Sequence, residues 1–283
     1  MRVLVIGGTG NTGRQVVSQL MSRDVGIRVL TRSPEASDLP AEVEVVRGDL
    51  TRPETVERGL DGVDAVFLVW VVPGDTAEAV VERIAKRTSR IVFLSAPHKT
   101  PHPLFQQPNP SAALHAKIEG LIEGSGLAWT FLRPGMFAAN ARHWWAPQIR
   151  AGDLVRWPYL DVPTAPIHER DIAAVAVRAL CEEGHGEAEY VLTGPESLSQ
   201  REQLTIIGRA TGREVRMEEI PPEEARRELA VQMPASVVNM LMAAWSAAAG
   251  QPALVTSTVE EITGVPARRF LDWVTEHAAE FCP

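Results

Sequence analysis

Seven residues near the start of the chain, Gly7-Gly8-Thr9-Gly10-Asn11-Thr12-Gly13, constrain its fold more than any other stretch. They follow the apolar run Val3-Leu4-Val5-Ile6, which has the length and character of a strand buried on both faces. After them Val16, Val17, Leu20 and Met21 recur at helical spacing. Glycines at 7, 10 and 13, set between a strand and a helix, meet three steric demands together. They allow a tight turn, they let the backbone approach a pyrophosphate, and they let the helix sit close against the strand. The helix amino terminus then presents its unpaired N–H groups to the anion. The loop predicts a dinucleotide site, with Gly7, Thr9, Gly10, Asn11, Thr12 and Gly13 around the pyrophosphate.

The rest of the first half alternates strand and helix. Strands are predicted at 27–31, 43–46, 64–70, 90–95 and 128–132, and helices at 78–86 and 111–123. Thr51-x-x-Glu54, with Pro53 between, has the spacing of a capping box. Repeated βα units define the α/β class, with a doubly wound parallel sheet of the Rossmann type. Residues 97–110 carry five prolines and both His98 and His102, which suits a loop at a site. The second half is less regular. Helices are expected at 171–181, from Ser199-x-x-Glu202 to Gly212, over 222–249 around Pro234, and from Ser257-x-x-Glu260 onward. Strands are expected at 188–192 and 214–220. Met233, Met240, Met242 and Trp245 read as an exposed apolar face. The expected division is a dinucleotide-binding domain over 1–150, joined again by 165–195, and a smaller, mostly helical substrate lobe over 196–283.

Composition narrows the function classes. A net charge of −8 argues against a general nucleic-acid surface. The two cysteines, Cys181 and Cys282, form neither a CxxC nor a disulfide framework. None of the seven histidines stands at a metal-ligand spacing, so no metal is expected. No apolar run reaches the roughly 18 residues of a membrane span. The chain opens directly on a strand, without the features of a targeting segment, so a cytoplasmic location is expected.

Readers of NAD place a carboxylate after the second strand, to bond the ribose 2′-hydroxyl. Here that strand ends Leu30-Thr31-Arg32-Ser33-Pro34. Arg32 offers a planar, permanently charged fork to a 2′-phosphate instead. Arg14, one residue past the last loop glycine, is a second candidate for that phosphate. The expected cofactor is NADP(H).

The GxxGxxG spacing resembles that of extended and atypical short-chain dehydrogenase/reductases. The segments GDLTRPETVERGLDGVDAVFLV, HAKIEGLIEGSGLAWTFLRPGMFAAN, PIHERDIAAVAVRAL and TGVPARRFLDWVTEHAAEF resemble the NmrA-like, NAD(P)H-binding branch of that superfamily over nearly the whole chain. The resemblance implies that Asp49 and Leu50 flank the adenine and that Val69 and Trp70 line the cofactor cleft. It also implies a catalytic Tyr-x-x-x-Lys pair, and this chain has none: Tyr159 is followed four residues later by Pro163 and Tyr190 by Gly194. Aligned with the family, Ser111 falls near the tyrosine position and His115 at the lysine position, with Glu119 one turn on. These three share a helical face. Ser95, at the end of the fifth strand, falls where the family places an active-site serine or threonine. It is a candidate both for cofactor contact and, with His115 and Ser111, for catalysis.

Beyond the sixth strand come Met136, Phe137, Asn140, His143, Trp144 and Trp145, at the sheet edge where open α/β folds bind ligands. Phe137 and the tryptophan pair suggest a flat apolar wall for an aromatic substrate, with Met136, Asn140 and His98 beside it. The expected function is NADPH-dependent reduction of a small aromatic carbonyl or quinone, in a monomer or homodimer with no membrane or nucleic-acid partner. Two alternatives stay open: a non-catalytic NADP(H) sensor that docks on a protein, and a cofactor-bound isomerase or cyclase.

Overall fold

β1 (Arg2–Ile6) alternates its side chains between two separate cores. Val3 and Val5 face one, and Leu4 and Ile6 the other. A strand buried on both faces belongs in the middle of a parallel sheet, and β1 lies there in the computed structural model, which describes residues 1–282. The chain continues through α1 (Asn11–Leu20), β2 (Gly26–Thr31), β3 (Glu44–Arg47), α2 (Glu57–Leu60), β4 (Ala65–Val69), α3 (Ala77–Ala85), β5 (Arg90–Leu94), α4 (Pro110–Glu123) and β6 (Ala128–Pro134). After the lobe segments α5 (Asn140–Trp144), α6 (Ala146–Gly152), β7 (Leu154–Trp157) and β8 (Pro163–Thr164), it returns as α7 (Glu169–Cys181) and β9 (Ala188–Leu192).

Seven strands form the main sheet in the order β3-β2-β1-β4-β5-β6-β9, every pair parallel. α1 and α7 pack together on one face, and α2, α3 and α4 cover the other. The strand order reverses between β1 and β4. There the crossovers leave in opposite directions and open a crevice at the strands' carboxyl ends.

The remaining elements are β10 (Leu198–Ser199), α8 (Gln200–Thr211), β11 (Arg216–Glu219), α9 (Pro222–Leu229), α10 (Ala235–Ala248), α11 (Thr258–Thr263) and α12 (Phe270–Glu276). Two small sheets, antiparallel β8–β10 and parallel β7–β11, frame the lobe. Its core holds Trp145, Trp157, Trp245 and Trp273, all fully buried.

Three local expectations change. Short strands at β7 and β8 lack the periodicity of longer ones, and their pairing partners lie 34 to 62 residues on. The capping box at Thr51 does not form, because the Thr51 N–H and hydroxyl both donate to Asp49, at 2.9 Å. Met242 and Trp245 are fully buried, so the helix at 235–248 turns them into the lobe and not toward solvent. The capping box at Ser199 and Glu202 does form and opens α8.

Candidate active site

The glycine loop lies against the carboxyl end of β4. Gly7 has a φ of +92°, and a Cβ there would stand 2.8 Å from the Val69 Cβ. A Cβ on Gly13 would stand 2.1 Å from the Gly7 carbonyl oxygen. The loop is closed by Gly10 N–H donating to Gly7 O at 3.1 Å, and α1 starts at the next residue. Thr9 and Asn11 are exposed and Thr12 is buried at the helix start. This is a cradle that side chains would fill, and it fits a pyrophosphate approaching the backbone.

A groove continues from Gly7 and Thr9 past Thr31, Arg32, Asp49, Leu50 and Val69. It adjoins a cleft of about 400 Å³ walled by Arg32, Arg47, Asp49, Arg52, Thr55 and Arg58. Arg32 borders both. Arg47 is engaged with the Arg32 carbonyl (2.9 Å) and Glu35 (2.6 Å), whereas Arg32 has no carboxylate partner among the described residues. Arg14 is engaged with backbone on both sides of the groove. Its guanidinium donates to the carbonyls of Thr9, Ser37 and Asp38 at 3.0–3.1 Å, and so ties the glycine loop to the segment after β2. Bonds from the Thr51 backbone and hydroxyl hold the Asp49 carboxyl below its ordinary range.

Past Val69 the groove opens into a cavity of about 800 Å³. Four regions of the fold wall it. The sheet edge supplies Val69, Trp70, Ser95 and His98, and α4 supplies Ser111 and His115. The β6–α5 connection supplies Met136 and Phe137, α5 supplies Asn140 and Trp144, and α10 supplies Met240, Leu241 and Trp245. Trp145 and Trp157 are core residues behind Trp144, and His143 is exposed away from the cavity.

The proton positions in this cavity follow from the partners. Ser95 is held by its N–H to the Leu132 carbonyl at 2.7 Å, and its hydroxyl donates to Glu119 Oε1 at 2.6 Å. Glu119 is only 1% exposed. Arg133, 2% exposed, donates to both its carboxylate oxygens at 2.9 and 2.6 Å and reaches Glu189 at 2.5 and 2.8 Å. This paired fork keeps Glu119 an acceptor. The Ser95 hydrogen is therefore committed, and its lone pairs remain for a ligand.

His98 Nδ1 lies 2.9 Å from the Ala96 carbonyl, and its Nε2 lies 3.3 Å from Glu119. His115 Nδ1 donates to the Ser111 carbonyl at 2.7 Å, and its ring stacks on Phe93 with centroids 5.6 Å apart. Burial pushes the His115 pKa below its ordinary value of 6.5, against the raising effects of the Ser111 bond and Glu119. At neutral pH it is a neutral ring whose Nε2 is an acceptor. The helix face carrying Ser111, His115 and Glu119 is present, but Glu119 turns beneath the floor toward Ser95 and Arg133. The sequence places Glu119 on the face of Ser111 and His115 without giving it a role, and it does not mark Arg133 as a site residue. The available clue was an arginine in the otherwise apolar strand Ala-Trp-Thr-Phe-Leu-Arg-Pro, which a buried position demands be paired.

A parallel sheet with a glycine loop at its reversal point, and an apolar cavity beside it, defines a dinucleotide-binding protein with room for a second ligand. The chain belongs to the NAD(P)H-binding family, whose model matches residues 7–183. It is 38% identical to the (4-alkanoyl-5-oxo-2,5-dihydrofuran-3-yl)methyl phosphate reductase of Streptomyces griseus, over 99% of each chain. It is 33% identical to the NAD(P)H azoreductase of Xenophilus azovorans, again over 99% of each. An NADPH-dependent quinone oxidoreductase from Escherichia coli, solved with NADPH, shares the fold at a TM-score of 0.82 and 21% identity, covering 97% of this chain and 99% of that one.

Proposed function

We propose that this chain is an NADPH-dependent reductase of flat, uncharged, conjugated acceptors, quinones foremost. The observation that carries the reading is the state of the protons in the cavity. Ser95 gives its hydrogen to Glu119, and His115 gives its Nδ1 hydrogen to Ser111 while staying neutral. Neither offers the acid that reduction of a simple ketone requires. A conjugated acceptor needs none at the moment of transfer, because it delocalises the charge that arrives with the hydride.

When bound, the cofactor supplies that hydride. The residues of the chain do the rest. The glycine loop holds the pyrophosphate, and Arg32 faces the 2′-phosphate. Ser95 and His115, as acceptors, suit the amide and hydroxyl hydrogens of the nicotinamide riboside. Trp70, Phe137 and Trp144 supply flat apolar surface and exclude water. Among the described residues no lysine, arginine, aspartate or glutamate lies in the cavity wall, which disfavours a phosphate ester as the acceptor. Both sequence relatives are named as reductases, which supports the reaction class.

The test is a fluorescence titration with NADPH and with NADH, followed by turnover on menadione and related quinones. NADPH should bind more tightly than NADH and be oxidised when quinone is added. The rate should be level from pH 6.5 up to about pH 8.5. A rate that falls as pH rises between 6 and 7 would reveal an acidic histidine and overturn the account of His115. Failure of every acceptor in the presence of bound NADPH would overturn the reductase reading.

A further inference from the structure

α10 has two apolar faces, and the protein covers only one of them. Over residues 235–248 the helix carries no charged side chain. Its polar residues Ser236, Asn239 and Ser246 recur at helical spacing and are exposed, so they mark the solvent face. A second face, with Val238, Met242 and Trp245, is buried in the lobe core. Val237, Met240, Leu241 and Ala244 remain. They stand at i, i+3, i+4 and i+7, the spacing of one continuous stripe, and all four line the cavity.

The stripe has an inner and an outer end. At the inner end Trp245, the next residue, meets the cavity-lining Trp144 edge-on, with ring centroids 5.5 Å apart. Between the ends Met240 and Ala244 are half-buried. At the outer end Val237 is 37% exposed. The stripe therefore leads from the aromatic wall of the cavity out to the surface. Apolar side chains left facing water along that path favour an apolar ligand that covers them.

The chemistry of the stripe differs from that of the wall it leaves. Trp70, Phe137 and Trp144 present flat rings, which suit the conjugated part of an acceptor. Val237, Met240, Leu241 and Ala244 present no ring and no hydrogen-bonding group, and the unbranched Met240 side chain adapts to a flexible partner. From Val237 to Ala244 the stripe runs about 10 Å along the helix axis, which is the length of an extended chain of about eight carbons.

We propose that the acceptor carries an aliphatic chain, with its conjugated ring against Trp144 and its chain laid along α10 toward Val237. The proposal rests on the reductase reading above and narrows its acceptors to quinones and enones with an alkyl or prenyl substituent.

The test uses 2-alkyl-1,4-naphthoquinones with methyl, butyl, octyl and dodecyl chains. Their binding is followed by quenching of tryptophan fluorescence in the complex with NADP+, where no hydride can pass. The dissociation constant should fall about two- to fourfold per methylene as far as octyl, then level off, because further carbons leave the stripe for water. With NADPH in place of NADP+, kcat/KM should follow the same series. Val237→Asp, at the exposed end of the stripe, should weaken octyl binding about tenfold and butyl binding far less. Asn239→Asp puts the same charge on the solvent face of the same helix and should change neither. Affinity that ignores chain length would overturn the proposal. Affinity still rising at dodecyl would do so too, as it would report general hydrophobicity, and equal losses in the two variants would trace the effect to charge on the helix. The two readings separate cleanly. Chain-dependent binding with no oxidation of NADPH by any member would remove the reductase reading and support the chain site. Turnover of every member at one kcat/KM, with one affinity, would keep the reductase reading and remove the chain site.

Discussion

A hydroxyl whose hydrogen is held by a buried carboxylate is a different reagent from a free one. Ser95 stands where a proton donor would be sought, yet Glu119 makes it an acceptor, and Arg133 bonds to both Glu119 oxygens. The same reasoning in reverse applies to Arg32. It borders the groove beside the glycine loop and the neighbouring arginine-lined cleft with no carboxylate partner among the described residues, so its charge is available to a ligand. Arg32→Glu should weaken NADPH binding by about 10- to 100-fold, the worth of a charge-assisted hydrogen bond, and leave NADH binding equal or tighter. Parallel titrations with the two nucleotides measure this. An unchanged NADPH-to-NADH ratio would remove Arg32 from the phosphate site.

Among the elements, the junction of β1, the glycine loop and α1 tolerates least. A methyl group at Gly13 would collide with the Gly7 carbonyl, and backbone cannot yield as a flexible side chain does. Gly13→Ala should push α1 away from the loop and abolish detectable NADPH binding. Circular dichroism should show the helical content retained, because the core of the sheet lies on other contacts. Binding at wild-type affinity would mean that the loop is not the pyrophosphate cradle. α4 is set as firmly by its cap. The Asn109 side chain accepts from Ser111 N–H and Ala112 N–H at 2.9 and 3.2 Å, which fixes the turn from which Ser111 and His115 face the cavity.

Across the whole molecule, the last helix fastens the lobe to the sheet domain. Trp273 on α12 donates its indole N–H to Glu169 at 3.0 Å, at the start of α7, and Arg268 pairs with Asp171 two residues on. Arg142 of α5, whose neighbours Asn140 and Trp144 line the cavity, lies over the Trp273 ring. Burial pushes the Glu169 carboxyl up, but bonds from His168 and the backbone outweigh it and hold the group below its ordinary 4.5. A depressed carboxyl stabilises the fold fully above 4.5 and ceases to do so as pH falls through its lower native value. Trp273→Phe should cost about 1.5–3 kcal/mol at neutral pH, the worth of a hydrogen bond to a charged group. In urea unfolding followed from neutral to acid pH, the difference between variant and wild type should narrow below pH 4.5. A constant difference at every pH would assign the cost to packing alone.

Local chemistry made the glycine loop, the βα alternation, the missing Tyr-x-x-x-Lys pair and the basic end of β2 readable in order along the chain. Each depends on residues within a turn or two of one another. The polarity of the cavity does not. Ser95 meets Glu119 from 24 residues away, Arg133 bridges to Glu189 across 56, and Met240 reaches the cavity only because the lobe folds back over the sheet edge. Whether a hydroxyl or an imidazole has a proton to give depends on which partner stands within 3 Å, and strands and helices far apart in the chain supply those partners.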